Sequence, residues 1–126
     1  MQKYQLGLNK KSFSLPFNGG EIWCEHLDSL CSERELVIEK FTKDLSVIEK
    51  PSASSFIVID FDETEVDKEL LNYITEALNS SKKPPRKVAV VGLNGKMKRH
   101  IEKLRVDFAL KCIDDYEKAK EWLISG

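Results

Sequence analysis

Histidine is scarce in this chain: His26 and His100 are the two it has. A general base working near neutral pH is most often an imidazole, so few candidates exist. No Gly-x-Ser-x-Gly elbow, Gly-x4-Gly-Lys-Ser/Thr loop or three-glycine dinucleotide pattern occurs. The three cysteines, Cys24, Cys31 and Cys112, are an odd number, which argues against a closed disulfide framework. Their spacing matches no compact zinc motif. A set made of Cys24, His26, Cys31 and Cys112 therefore reads as thiols of a reducing compartment beside a structural histidine. Long apolar runs are also missing. The stretches 56–59 and 88–91 fall well short of the roughly 20 residues that span a membrane. The first twenty residues carry no continuous apolar segment of a secretory signal, so a cytoplasmic location is expected and no membrane partner is. A net charge of -1, from 20 basic and 21 acidic side chains, gives no global pull toward nucleic acid.

What is present is material for one core. With 41% hydrophobic residues, the 126-residue chain has enough apolar surface to offset ordering entropy, and residues 1–126 read as a single domain. Tyr4, Leu6 and Leu8 alternate with polar or small residues, as do Phe13, Leu15 and Phe17. After the turn Asn18-Gly19-Gly20, a further strand sets Ile22, Cys24 and His26 on one face and Trp23, Glu25 and Leu27 on the other. Ser32 with Glu35 predicts a capping box for a helix carrying Leu36, Val37, Phe41, Leu45 and Ile48, stopped by Pro51. The apolar run Phe56-Ile57-Val58-Ile59 has the character of a strand buried on both faces. Thr64 with Asp67 predicts a second box, for a helix with Val66, Leu70, Ile74, Ala77 and Leu78 inward. A second buried strand spans 88–93. Asn94 then caps a helix carrying Met97, Ile101 and Leu104, a last strand spans 108–113, and Asp114 with Glu117 caps a final helix. The expected fold is α/β: a mixed sheet with an N-terminal antiparallel hairpin, a parallel C-terminal half and about four helices.

Three constellations could carry chemistry. Between Asp60 and Glu69 lie six acids (Asp60, Asp62, Glu63, Glu65, Asp67, Glu69) and one base, Lys68, at the carboxyl end of a buried strand, where open α/β sheets bind ligands. Asp60 and Asp62 have the hard oxygens that Mg²⁺ prefers. Acids in a first helical turn answer equally to the helix dipole, and no metal or cofactor is expected. The turn Gly92-Leu93-Asn94-Gly95-Lys96 joins a strand to a helix, where backbone N–H groups could hold a phosphate; Gly92, Asn94, Gly95 and Lys96 are its phosphate-binding candidates. A tight turn needing small residues is the plainer explanation. From Lys82 to Arg105 there are nine Lys/Arg against Glu102. Without interleaved aromatics they offer no base-stacking surface, and nucleic acid is not an expected partner.

From Phe56 onward the pattern resembles a STAS domain, the module of bacterial anti-sigma-factor antagonists and sulfate-transporter tails. The resemblance rests on the strand 56–59, the Asp followed by a helix, the strand Val88-Ala89-Val90-Val91-Gly92-Leu93, the basic helix 96–105 and the final strand leading into Tyr116-Glu117-Lys118-Ala119. The hairpin and first helix fit that fold's order too. It implies a non-enzymatic regulatory module that binds a protein partner, a kinase-like or other regulatory protein, through the turn and helix at 60–71, with Asp60, Asp62, Thr64, Asp67, Lys68 and Glu69 as contacts. In those antagonists an Asp-Ser-Ser-Gly turn carries the serine that a partner kinase phosphorylates. Here Asp67-Lys68-Glu69-Leu70 fall on that turn: the Asp matches, while both serines and the glycine are absent. The usual phosphoswitch is then lost, and Glu69 stands as a fixed negative charge in its place. A nucleotide- or phosphometabolite-binding domain using 92–96 is the alternative.

Overall fold

The computed structural model describes residues 11–125 apart from Asn18, so the strand predicted around Tyr4–Leu8 lies outside the described residues. Strands β1 (Phe13–Phe17), β2 (Gly20–His26), β3 (Phe56–Asp60), β4 (Lys87–Val91) and β5 (Ala109–Cys112) form one sheet in the order β1-β2-β3-β4-β5. β1 pairs antiparallel with β2, and every later pairing is parallel. The parallel part therefore begins one strand earlier than the hairpin alone suggests. Pro16 lies in β1, the edge strand among the described residues, where its missing N–H costs no ladder bond with a second described neighbour.

Between the parallel strands run α1 (Arg34–Ile48), α2 (Lys68–Asn79) and α3 (Gly95–Lys103), and α4 (Tyr116–Ile124) follows β5. Strands β2 to β5 advance across the sheet in one direction. Right-handed crossovers then put α1, α2 and α3 on the same face. That face holds the larger core, where Trp23, Ile57, Ile59, Val88 and Val90 meet Phe41, Leu70, Ile74, Leu78 and Ile101. The opposite face is left to α4, whose Ala119 and Leu123 bury Ile22, Cys24, Val58, Ala89 and Val91. Alternation along β3 and β4 feeds both cores, which is why these two strands read as unbroken apolar runs. Each fully buried Leu or Ile of α2 contributes about 1.5–3 kcal/mol of transfer free energy.

Three predicted caps are corrected. α1 begins at Arg34, and its N-cap Glu33 makes no side-chain cap bond, so the Ser32–Glu35 box does not form. α2 is capped by Asp67, which accepts from the Leu70 N–H; Thr64 is used elsewhere. α4 is capped by Asp115 rather than Asp114, because Asp115 accepts from the N–H groups of Glu117 and Lys118, while Asp114 pairs with Lys98. The cap of α3 by Asn94 is as expected. Among the described residues no helix is long and apolar enough to cross a membrane.

Candidate functional site

The carboxyl ends of β2, β3 and β4 release three loops that lie against one another. The loop after β2 runs alongside the loop after β3, with Leu27 N–H donating to Asp60 O (3.0 Å), Ser29 N–H to Asp62 O (2.7 Å) and Cys31 N–H to Glu63 O (2.9 Å). Ser29, Cys31 and Glu63 hold left-handed backbone with φ of 58°, 53° and 55°, a conformation L-residues adopt at a cost. Thr64 locks the pair. Its hydroxyl donates to Leu27 O (2.6 Å) and accepts from Leu30 N–H (3.0 Å). Both roles of that oxygen are taken by backbone, which explains why it caps no helix.

Asp67 joins two helices. One carboxylate oxygen accepts from Leu70 N–H (2.9 Å), and the other is paired with Arg34 at the start of α1. Arg34 also lies 3.6 Å from Glu69. Lys68 and Glu69 are exposed at the start of α2. Gly92, at φ +92°, passes directly beneath the loop after β3. Asn94 turns its side-chain oxygen onto Met97 N–H (2.9 Å), so one of the N–H groups at the start of α3 is already used.

These elements enclose a cavity of about 370 Å³ whose lining includes Arg34, Thr64, Asp67, Gly92, Asn94 and Met97. Residues of the two predicted sets thus meet at one place: Thr64 and Asp67 from the first, Gly92 and Asn94 from the second. Beyond it a groove runs between α2 and α3, with Asp67 and Glu69 at its near end and Lys68, Lys96, Arg99, His100 and Lys103 along it. His100 Nε2 and Asn72 Oδ1, 2.9 Å apart, tie the two helices together beside it. Among the described residues Lys68, Lys96, Arg99 and Lys103 form no ion pair. Gly95 at the start of α3 has open space around it, its nearest neighbour being the Arg99 guanidinium.

Asp60 does not share this groove. Strand alternation turns it toward the α4 side, where it meets His26 and Asp28. Its carboxylate accepts from Asp62 N–H (2.9 Å), the one link between the two acids read as a pair. Burial pushes the Asp60 carboxyl above its ordinary range; the Asp62 N–H opposes this, and the Asp28 and Asp62 charges add to it. Asp28 was invisible as a site residue, because only the curl of the loop after β2 brings it to Asp60.

No family model matches the chain, and no curated protein sequence matches it. Among solved structures it is similar to an uncharacterized protein of the DUF3478 family from Shewanella loihica PV-4, described as having a SpoIIAA-like fold. The two are 14% identical over 90% of this chain and 92% of that one, with a TM-score of 0.52. The chain has a SpoIIAA-like fold.

Proposed function

We propose that this protein is a non-enzymatic, cytoplasmic regulatory module that binds a protein partner through the turn and helix at 60–71, as an anti-sigma-factor antagonist does. The observation that carries the reading is the groove between α2 and α3, where Lys68, Lys96, Arg99 and Lys103 converge and outnumber the two acids at its near end, Asp67 and Glu69. A partner that fits presents an acidic stretch, because convergent cations steer and hold negative charge. Asp67, Lys68 and Glu69 lie on this face and Asp60 does not, so the contact surface is the start of α2 with α3 rather than the whole acidic turn. With Lys68 and Glu69 in place of phosphorylatable serines, binding is constitutive.

A photo-crosslinking residue at position 68 tests this. It should capture a partner in the source cells that the same residue at position 118 on α4 does not. The purified partner should then lose at least tenfold in affinity to the Lys96→Glu, Arg99→Glu double variant, with the melting temperature of the variant unchanged. Identical crosslinked products from positions 68 and 118 would sink the reading. The alternative, a phosphate held by Gly92, Asn94, Gly95 and Lys96, is less well supported, since Asn94 already occupies the Met97 N–H and Glu65 and Asp67 border the same cavity. ATP and GTP titrations followed by amide shifts at 92–96 would decide for it.

A further inference from the structure

His26 ends β2, Asp28 follows it in the next loop, and Asp60 ends the adjacent parallel strand, paired with His26 in register. Each offers one ligand atom, and the three atoms lie within 4.8 Å of one another. His26 Nδ1 and Asp28 Oδ1 are 2.9 Å apart. We propose that His26, Asp28 and Asp60 form a binding site for a divalent first-row transition cation. This site is separate from the α2–α3 groove and does not depend on the reading of that groove.

The spacing brings the three ligand atoms close to coordinating distance. At metal–ligand distances of about 2.1 Å, neighbouring positions of an octahedron lie about 3.0 Å apart, close to the spacing of His26 Nδ1 and Asp28 Oδ1. A third ligand neighbours at least one of these two, also at about 3.0 Å, so from a separation of at most 4.8 Å a side-chain shift of up to about 1.8 Å closes the set. One imidazole nitrogen with two carboxylate oxygens selects a borderline ion such as Mn²⁺, Fe²⁺ or Zn²⁺ over Mg²⁺, which favours oxygen alone. The cation takes the position of the proton between His26 and Asp28, leaving the imidazole neutral with its proton on Nε2.

The surroundings hold the ligands in place. The His26 ring is stacked between Phe13 (centroids 5.8 Å apart) and Tyr116 (6.4 Å), so it cannot swing away from the cluster. Tyr116 is itself packed against the smaller core, beside Cys24, Ala119 and Leu123. Asp60 is fixed by the Asp62 N–H. The Asp28 side chain is 5% exposed and that of His26 19%, so the cluster is shielded yet reachable from solvent. Two carboxylates brought together in so little water repel each other, and a divalent ion relieves that repulsion.

The full chain, stripped with chelator, should be titrated with MnCl₂ and with ZnCl₂ by calorimetry, and with MnCl₂ by electron paramagnetic resonance. We expect one cation per chain and nitrogen coupling from one imidazole in the pulsed spectrum. Asp60→Asn and His26→Gln should each weaken binding fivefold or more, and His26→Gln should erase the nitrogen coupling. Asp60→Asn keeps an oxygen for the Asp62 N–H and removes a repulsive charge, so the metal-free variant should melt no lower than the parent and any loss of binding is then a loss of ligand. No saturable binding of either cation by 1 mM, or a loss under fivefold in both variants, overturns the proposal.

Discussion

Gly92 lies so close beneath Asp62 that a Cβ on it would sit 2.6 Å from the Asp62 backbone nitrogen and 2.8 Å from the Phe61 carbonyl carbon. Both neighbours are backbone in a loop pinned at both ends, so neither can yield cheaply. Gly92→Ala should therefore destabilise the protein by about 2 kcal/mol or more, from left-handed strain and the clash together. That corresponds to a fall in Tm of roughly 5–15 °C by calorimetry. The Gly95→Ala variant is the contrast: the site has ordinary φ and room for a methyl, and it should melt within about 2 °C of the parent.

Thr64 makes the second joint between the same loops. Thr64→Val preserves shape but removes both hydrogen bonds, leaving Leu30 N–H and Leu27 O without that partner. We expect a loss of about 1–3 kcal/mol in urea unfolding. Thr64→Ser keeps the oxygen and should recover most of it. A Thr64→Val variant as stable as the parent would show that the two hydrogen bonds of the bridge contribute nothing net.

These two joints mark where the sequence could be read and where it could not. The runs 56–59 and 88–91 announced buried parallel strands, and the stripe Leu70, Ile74, Leu78 announced α2, because burial and period are local properties of the chain. Asn94 was recognisable as a cap for the same reason. Ser32 and Thr64 fit capping-box spacing equally well and cap nothing; for Thr64 the reason is that a distant loop claims its hydroxyl, which the pattern does not record. The candidate contacts divided for a similar reason. Asp67, Lys68 and Glu69 share a helix start and stay together, whereas Asp60 is turned to the opposite face by strand alternation. Its companions His26 and Asp28 are more than thirty residues away in sequence, and parallel pairing of β2 with β3 is what unites them.

The three thiols should separate cleanly in a labelling experiment. Cys31 is exposed, Cys112 half-buried and Cys24 fully buried. Burial pushes the Cys24 and Cys112 thiols above their ordinary range. Because the thiolate is the reactive form, iodoacetamide at pH 8 should modify Cys31 first, Cys112 more slowly and Cys24 last. Mass spectrometry of quenched time points gives the order. Modification of Cys24 before Cys112 would mean that α4 leaves the sheet readily, contrary to its packing on Ala89 and Val91.

Glu25 carries the pH dependence. It is 1% exposed beneath α1, with Trp23 Nε1 donating to Oε1 (2.7 Å) and Oε2 receiving no donor. Burial pushes its carboxyl well above the ordinary value of 4.5, the adjacent Asp44 raises it further, and Trp23 and Lys40 oppose the rise. Protonated, Oε2 becomes a donor toward Asp44, whose other contact is the Ser12 hydroxyl (2.8 Å). The sign follows from proton counting. Below the ordinary carboxylate range both folded and unfolded chains hold this proton, and the group is neutral to stability. As pH rises through that range the unfolded chain releases the proton while the folded one keeps it, so stability falls with pH until Glu25 ionises within the fold. Glu25→Gln keeps an acceptor for Trp23 and supplies N–H donors toward Asp44 without a titratable proton. Urea unfolding between pH 4 and pH 8 should show a shallower decline for Glu25→Gln than for the parent, with the variant the more stable of the two at pH 8. Parallel stability curves for the two proteins would show that Glu25 is ionised in both states across this range.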